Sequence, residues 1–78
     1  MRIEAFYTGG GITLVEADLD RERYAVVSSE APEFLAVYKR VEDAEPYMPE
    51  DMLLSAEREE LPPELQELHG AMLEKLNA

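Results

Sequence analysis

The first half of the chain alternates apolar and polar residues with the two-residue period of β-strands. This alternation runs over residues 2–8 and again over residues 12–19. The three glycines at positions 9–11 separate the two runs and tolerate the positive φ angles of tight turns. The pattern therefore predicts a β-hairpin at the start of the chain.

Two further strands are predicted between residues 23 and 40. Residues 23–29 and 34–40 are rich in aromatic and β-branched side chains, which favour strands. Pro32 lies between them, and because proline lacks a backbone donor, residues 30–33 are predicted to form a connection. Short connections favour an antiparallel meander, so we expect about four strands within residues 1–41.

The character of the sequence changes after Val41. Residues 42–54 contain Pro46 and Pro49 among carboxylates and are predicted to form an irregular acidic loop. Residues 55–78 are predicted to be helical, and the sequence leaves open whether residues 52–60 form a short helix.

An apolar stripe identifies the C-terminal helix, which is expected to begin near Pro62-Pro63. Five apolar residues recur at spacings of three and four: Leu61, Leu65, Leu68, Met72 and Leu76. A single short helix does not recover its backbone entropy alone, so it must dock on the sheet. The predicted fold is a single α+β domain over residues 1–78, with the amphipathic helix packed on one face of an antiparallel sheet.

The third and fourth predicted strands are apolar on both of their faces. Tyr24 and Val26 alternate with Ala25 and Val27, so neither face of the third strand is polar. One helix covers only one face of a small sheet, and large apolar patches rarely stay exposed. Three covers are possible for the other face: the segment 52–54, a second copy of the chain, or a different protein.

Composition sets the class of protein. The chain has 78 residues, of which 46% are hydrophobic, and it has no cysteine. It is therefore expected to fold, but without disulfides or thiolate metal sites. Neither a secretory signal pattern nor an apolar run long enough to span a bilayer is visible, so we expect a cytoplasmic protein with no membrane association.

The negative charge is concentrated in one segment. The net charge is −11, and residues 41–67 contain ten acidic residues against Arg58 alone. Such a segment repels phosphate backbones, so no direct nucleic-acid binding is expected. Three interpretations remain open: a solvated surface, a docking surface for a basic protein, and carboxylates that imitate the phosphates of a nucleic acid.

Candidate chemistry is sparse. The glycines at 9–11 lack the helix start or lysine of a phosphate loop. The sequence Asp18-x-Asp20-x-Glu22 begins like a calcium loop but has Arg23 where glycine is required. His69 is the only histidine, and catalysis would require a partner group beside it. No catalytic residue, cofactor or metal ligand is predicted.

The segment around Tyr47 and Met48 is the candidate binding site. These two residues lie between Pro46 and Pro49 and are surrounded by carboxylates, a composition typical of binding hot spots. The candidate partner-binding residues are Glu45, Tyr47, Met48, Glu50 and Asp51. The alternative is that Tyr47 folds back as a lid over the sheet, because a small domain needs every core residue.

These observations favour a non-enzymatic protein–protein interaction module. It would bind through the acidic segment 41–67 or an apolar sheet face, either to a protein with a basic surface or to itself as a homodimer. One alternative is a small enzyme or ligand-binding protein whose site uses Tyr7, Tyr24, His69 and a carboxylate. The other is an acidic mimic that inhibits a nucleic-acid-binding protein.

Overall fold

The fold, seen in a computed structural model that describes residues 2–78, is one antiparallel sheet with one helix on it. The five strands follow chain order across the sheet. They are β1 (Ile3–Tyr7), β2 (Thr13–Asp18), β3 (Arg23–Ser28), β4 (Ala31–Lys39) and β5 (Met52–Glu57). The α+β meander predicted from the sequence is confirmed, with five strands instead of about four.

The glycine-rich segment forms the turn of the first hairpin, as predicted. The amide of Thr8 donates to the carbonyl of Ile12 at 2.8 Å, and the amide of Gly11 donates to the carbonyl of Thr8 at 3.1 Å. Gly11 has a φ of 83°, a conformation that glycine adopts without a Cβ clash. The turn sets the register in which Ala5 pairs with Val15.

The core lies between the sheet and the helix α1 (Pro63–Leu76). The sheet contributes alternate side chains of its central strands, and α1 packs over β1, β2 and β3. The buried cluster consists of Val15, Ala17, Ala25, Val27, Leu35, Val37, Leu61, Leu68 and Met72. Leu35 and Met72 are fully buried, which makes them the largest apolar anchors of this layer.

The apolar stripe of α1 faces the sheet as its periodicity predicts. Leu68 and Met72 are buried, while Leu65 and Leu76 are partly buried against the same core. Leu61 precedes the helix and is buried next to it. Pro63 occupies the first turn, where a missing backbone N–H has no consequence.

The fifth strand corrects the prediction for the second half of the chain. Residues 52–57 form a strand antiparallel to β4, not the end of a loop followed by helix. Helical structure within 52–60 is limited to one 3₁₀ turn at Arg58–Glu60. Backbone pairing with β4 overrides the helix propensity of this leucine- and glutamate-containing stretch.

The fourth strand also begins earlier than expected. It starts at Ala31 and includes Pro32, which was placed in a connection. The register between β3 and β4 shifts between Val26 and Ser28, and a proline near such an irregularity interrupts no regular ladder bond.

Candidate functional site at the open face of the sheet

The sheet has a second face that α1 does not cover, here called the open face. Its side chains alternate along the strands with those of the core. It includes Phe6, Leu14, Glu16, Tyr24, Val26, Phe34, Ala36, Tyr38 and Met52. Apart from Glu16, these side chains are apolar or aromatic. The same registers add polar residues at the margins of the face: Glu4, Asp18, Ser28, Ser55 and Glu57.

Three tyrosines form a cluster at one end of the open face. Tyr24 and Tyr38 are cross-strand neighbours on β3 and β4, and their rings stack with centroids 5.6 Å apart. Tyr47 comes from the loop before β5 and meets both rings edge-on, at 6.1 and 6.2 Å. These are the geometries that aromatic pairs prefer.

Two hydrogen bonds hold Tyr47 over this cluster. Its backbone amide donates to the hydroxyl oxygen of Tyr24 at 3.0 Å, and its own hydroxyl donates to Oε2 of Glu16. Burial and the Glu16 carboxylate raise the pKa of Tyr47 well above its usual range. The phenol of Tyr47 therefore serves as a fixed donor.

The backbone around Tyr47 adopts an uncommon conformation. Tyr47 has a φ of 65° and Asp43 a φ of 62°, both in the left-handed region that disfavours side chains. Such a conformation persists where surrounding contacts compensate for it. For Tyr47, the ring packing and the bonds to Tyr24 and Glu16 supply that compensation.

A positively charged side chain, that of Arg40, packs against the tyrosine cluster. The guanidinium of Arg40 lies 4.9 Å from the ring centroid of Tyr24 and pairs with the carboxylate of Asp18. This places a cation–π contact beside the cluster. The carboxylate of Asp18 therefore forms a salt bridge with Arg40.

Next to the tyrosine cluster lies an apolar groove of about 270 Å³. It is lined by Leu14, Val26, Ser28, Ala31, Phe34, Ala36, Tyr38 and Tyr47. Phe34 at its edge is 40% exposed, and Phe6 and Met52 elsewhere on the same face are 42% and 41% exposed. The open face therefore presents apolar surface to solvent.

The five predicted binding residues all lie on or beside the loop that carries Tyr47. Tyr47 is half-buried and lines the groove, while Glu45 and Asp51 line a small depression beside Tyr24. Met48 and Glu50 line neither of these depressions. Tyr47 folds back over the sheet and packs on Tyr24 and Tyr38, as the alternative interpretation of this residue predicts.

The remaining groove residues were not predicted as site residues. Val26 and Phe34 belong to the two strands whose faces are both apolar, which was their sequence signal, whereas Leu14 belongs to β2 and had no such signal. The suggestion that segment 52–54 covers the open face is wrong, because these residues lie in β5 at the edge of the sheet.

The histidine occupies an interior position. His69 is 1% exposed, and its Nε2 lies 2.9 Å from the carbonyl oxygen of Pro32. This carbonyl is an acceptor, so Nε2 carries the proton and the ring links α1 to the start of β4. A ring buried in this way meets no substrate from solvent.

The aspartates of the segment that resembles a calcium loop form salt bridges with arginines. Asp20 accepts a hydrogen bond from the amide of Glu22 at 2.8 Å and pairs with Arg23, and these contacts lower the pKa of its carboxyl group. Within residues 2–78, no group of three or more acidic or histidine side chains is arranged to hold a metal ion.

Comparison with protein-family models, with curated proteins and with solved structures found no match. In the part of the chain that the structure describes, no helix has the length and apolar character needed to cross a membrane.

Proposed function

We propose that this protein is a non-enzymatic interaction module whose open face binds another protein. The partner would insert apolar side chains into the groove between Phe34 and Tyr47. Around this apolar contact it would carry basic residues that face the acidic loop 41–51.

The exposed apolar groove is the observation that carries this proposal. Side chains such as Phe34 and Met52 remain about two-fifths exposed although the domain has a core for which they would be suited. Contiguous exposed apolar surface marks interaction sites in soluble proteins. The groove is lined almost entirely by apolar and aromatic groups, so it offers surface for packing and few groups for acid–base chemistry.

The charge around the groove favours a basic partner over a second copy. The loop before β5 carries Glu42, Asp43 and Glu45 before Tyr47 and Glu50 and Asp51 after it, and these five residues are here called the acidic rim. Of these, Glu45 and Asp51 line the depression beside Tyr24. Tyr47 fixes this rim at one end of the open face. A homodimer through the open face would bring together two chains that each carry a net charge of −11, whereas basic residues would be attracted to this charge.

The test is affinity capture from lysate of the source organism with matched baits. The baits are the wild-type protein, the groove variant Phe34→Ala, the rim variant Glu45→Gln/Asp51→Asn, and the control Tyr7→Ala. Tyr7 is 75% exposed on β1, away from the groove lining. The protein retained by the wild type is then purified and titrated against each variant.

The proposal predicts that Phe34→Ala weakens binding at least tenfold, the size typical of a hot-spot residue. The rim variant should weaken binding mainly at low salt, because exposed charge pairs are screened as salt rises. Equal binding by wild type and Phe34→Ala would overturn the proposal. A wild-type protein that sediments as a dimer, with Phe34→Ala monomeric, would assign the open face to a second copy instead.

A further inference from the structure

The fifth strand leaves one edge of the sheet unpaired. In the described residues β5 pairs with β4 alone, so its outer backbone groups have no strand partner. The side chains at the start of this strand are exposed, with Leu53 57% and Leu54 36% accessible. An exposed apolar edge strand is a template for the addition of another strand.

The two edges of the sheet differ in their cover. The helix α1 packs mainly over β1, at one edge of the sheet, and over β2 and β3. Leu54 lies on the helix side of the sheet, opposite Val37, and is nevertheless 36% exposed. The β5 edge is therefore the more accessible one.

The charges along this edge have a definite pattern. The uncharged stretch Met52–Ser55 is preceded by Glu50 and Asp51 and followed by Glu57, Glu59 and Glu60. The neighbouring carboxyl group of Glu59, with Glu60 and Glu33 nearby, raises the pKa of Glu57. Negative potential is thus present at both ends of an apolar edge.

We propose that β5 accepts an extended segment of another protein as a sixth strand, with a short apolar centre and basic residues at both ends. The apolar centre would lie beside Met52–Ser55. The basic ends would face Asp51 at one end and Glu57 at the other. Backbone hydrogen bonds would supply affinity, and the flanking charges would select the segment and its register.

A second copy of β5 does not supply basic residues beside Asp51 and Glu57. In an antiparallel pairing of two β5 strands centred on Leu54, Asp51 of one copy would lie opposite Glu57 of the other. An in-register parallel pairing would set each carboxylate beside its own counterpart. Like charges directly opposite on neighbouring strands are destabilising, so both arrangements are disfavoured.

The probe for this site is a synthetic peptide with the central sequence Val-Thr-Val-Thr-Val and two lysines at each end. It is titrated into isotope-labelled protein, and backbone amide resonances and hydrogen exchange are recorded. We expect the largest resonance shifts in Met52–Glu57 and slower exchange of the outward-facing amides of β5. The resonances of β1 should stay in place.

Two controls separate strand addition from general attraction. The same peptide with N-methyl groups on alternate amides keeps its charges but loses one hydrogen-bonding edge, so it should lose binding at β5. The variant Asp51→Asn/Glu57→Gln should bind the unmodified peptide about two- to thirtyfold more weakly, the range for two exposed charge pairs.

Three results would overturn this inference: shifts confined to β1, equal binding of the methylated peptide, or equal binding by the Asp51→Asn/Glu57→Gln variant. Because the peptide binds the strand edge and not the groove, its failure would leave the proposed role of the open face standing. Failure of the Phe34→Ala test would likewise leave the β5 edge untouched.

Discussion

The hydroxyl of Tyr47 donates a hydrogen bond to Glu16, a residue 31 positions earlier in the chain. This contact joins the acidic loop to β2 across the open face, while the amide of Tyr47 bonds to Tyr24 on β3. The loop before β5 is thereby fixed beside the apolar groove. The arrangement of groove and acidic rim depends on this one side chain.

Removal of the Tyr47 hydroxyl should loosen the loop without removing the aromatic packing. Tyr47→Phe leaves the half-buried Glu16 carboxylate without this donor, and we expect a loss of about 1 kcal/mol in the free energy of unfolding. The measurement is urea unfolding at neutral pH. Tyr7→Phe is the control, because the Tyr7 side chain is largely exposed and should change stability by less than about 0.5 kcal/mol. Equal effects of the two variants would contradict this role of Tyr47.

Alkaline pH should destabilise the fold through the same cluster. The pKa of Tyr47 is raised chiefly by burial and by Glu16, and burial also raises the pKa of Tyr38. An unfolded tyrosine titrates near pH 10, so the folded state holds these protons more tightly. Their contribution is complete below about pH 10 and is lost as pH rises toward the folded-state pKa values.

This pH dependence is measured by urea unfolding between about pH 9 and pH 11. The free energy of unfolding should fall more steeply above about pH 10 in the wild type than in Tyr47→Phe. If the free energy of unfolding fell equally with pH in the two proteins, Tyr47 would not contribute to the pH dependence.

The left-handed backbone at Asp43 provides a matched pair of variants. Asp43→Gly and Asp43→Ala remove the same charge, but only glycine adopts a φ near 62° without a Cβ clash. We expect the glycine variant to be more stable than the alanine variant by about 1 kcal/mol. Thermal and urea unfolding of both proteins measure the difference. An alanine variant as stable as the glycine one would mean that this turn is not strained.

Substitution of the helix glycine should stabilise the protein. A Cβ at Gly70 would lie 2.4 Å from Nη2 of Arg58, but that atom is the end of a flexible, exposed side chain that can move. Alanine in a helix interior is favoured over glycine by about 0.5–1 kcal/mol, so Gly70→Ala should raise the free energy of unfolding by about this amount. A destabilised Gly70→Ala that Arg58→Ala restores would show that Arg58 is held in place.

Much of this fold follows from local sequence patterns. The first hairpin and its strands β1 and β2 lie where the two-residue alternation and the glycine turn predict them. The stripe from Leu65 to Leu76 likewise predicts the buried face of α1. These elements are predictable because their apolar periodicity is regular.

The fifth strand was not predictable in the same way. The register between β4 and β5 shifts between Val37 and Tyr38, so Leu53 has no partner in the regular pairing. This extra residue breaks the two-residue period of Met52–Glu57. Its leucines and glutamate also favour a helix. The segment forms a strand because it pairs with β4, and this pairing depends on residues that are distant in the sequence.

The site was predictable in part. The sequence identified Tyr47 as a residue that either binds a partner or covers the sheet, because an aromatic residue between prolines and carboxylates is unusual. Its contact with Glu16 depends on the left-handed backbone conformation of Tyr47. The residue types around Tyr47 do not predict this conformation. The groove residues Leu14, Val26 and Phe34 needed the strand register before they could be assigned to one face.

The open-face binding claim is tested most directly by mapping the captured partner onto the isotope-labelled protein. The account predicts that backbone resonances of the groove, including Leu14, Val26, Phe34 and Ala36, shift on addition of the partner, and that these shifts are lost in Phe34→Ala. Shifts confined to the outer surface of α1, with the groove residues unchanged, would contradict it.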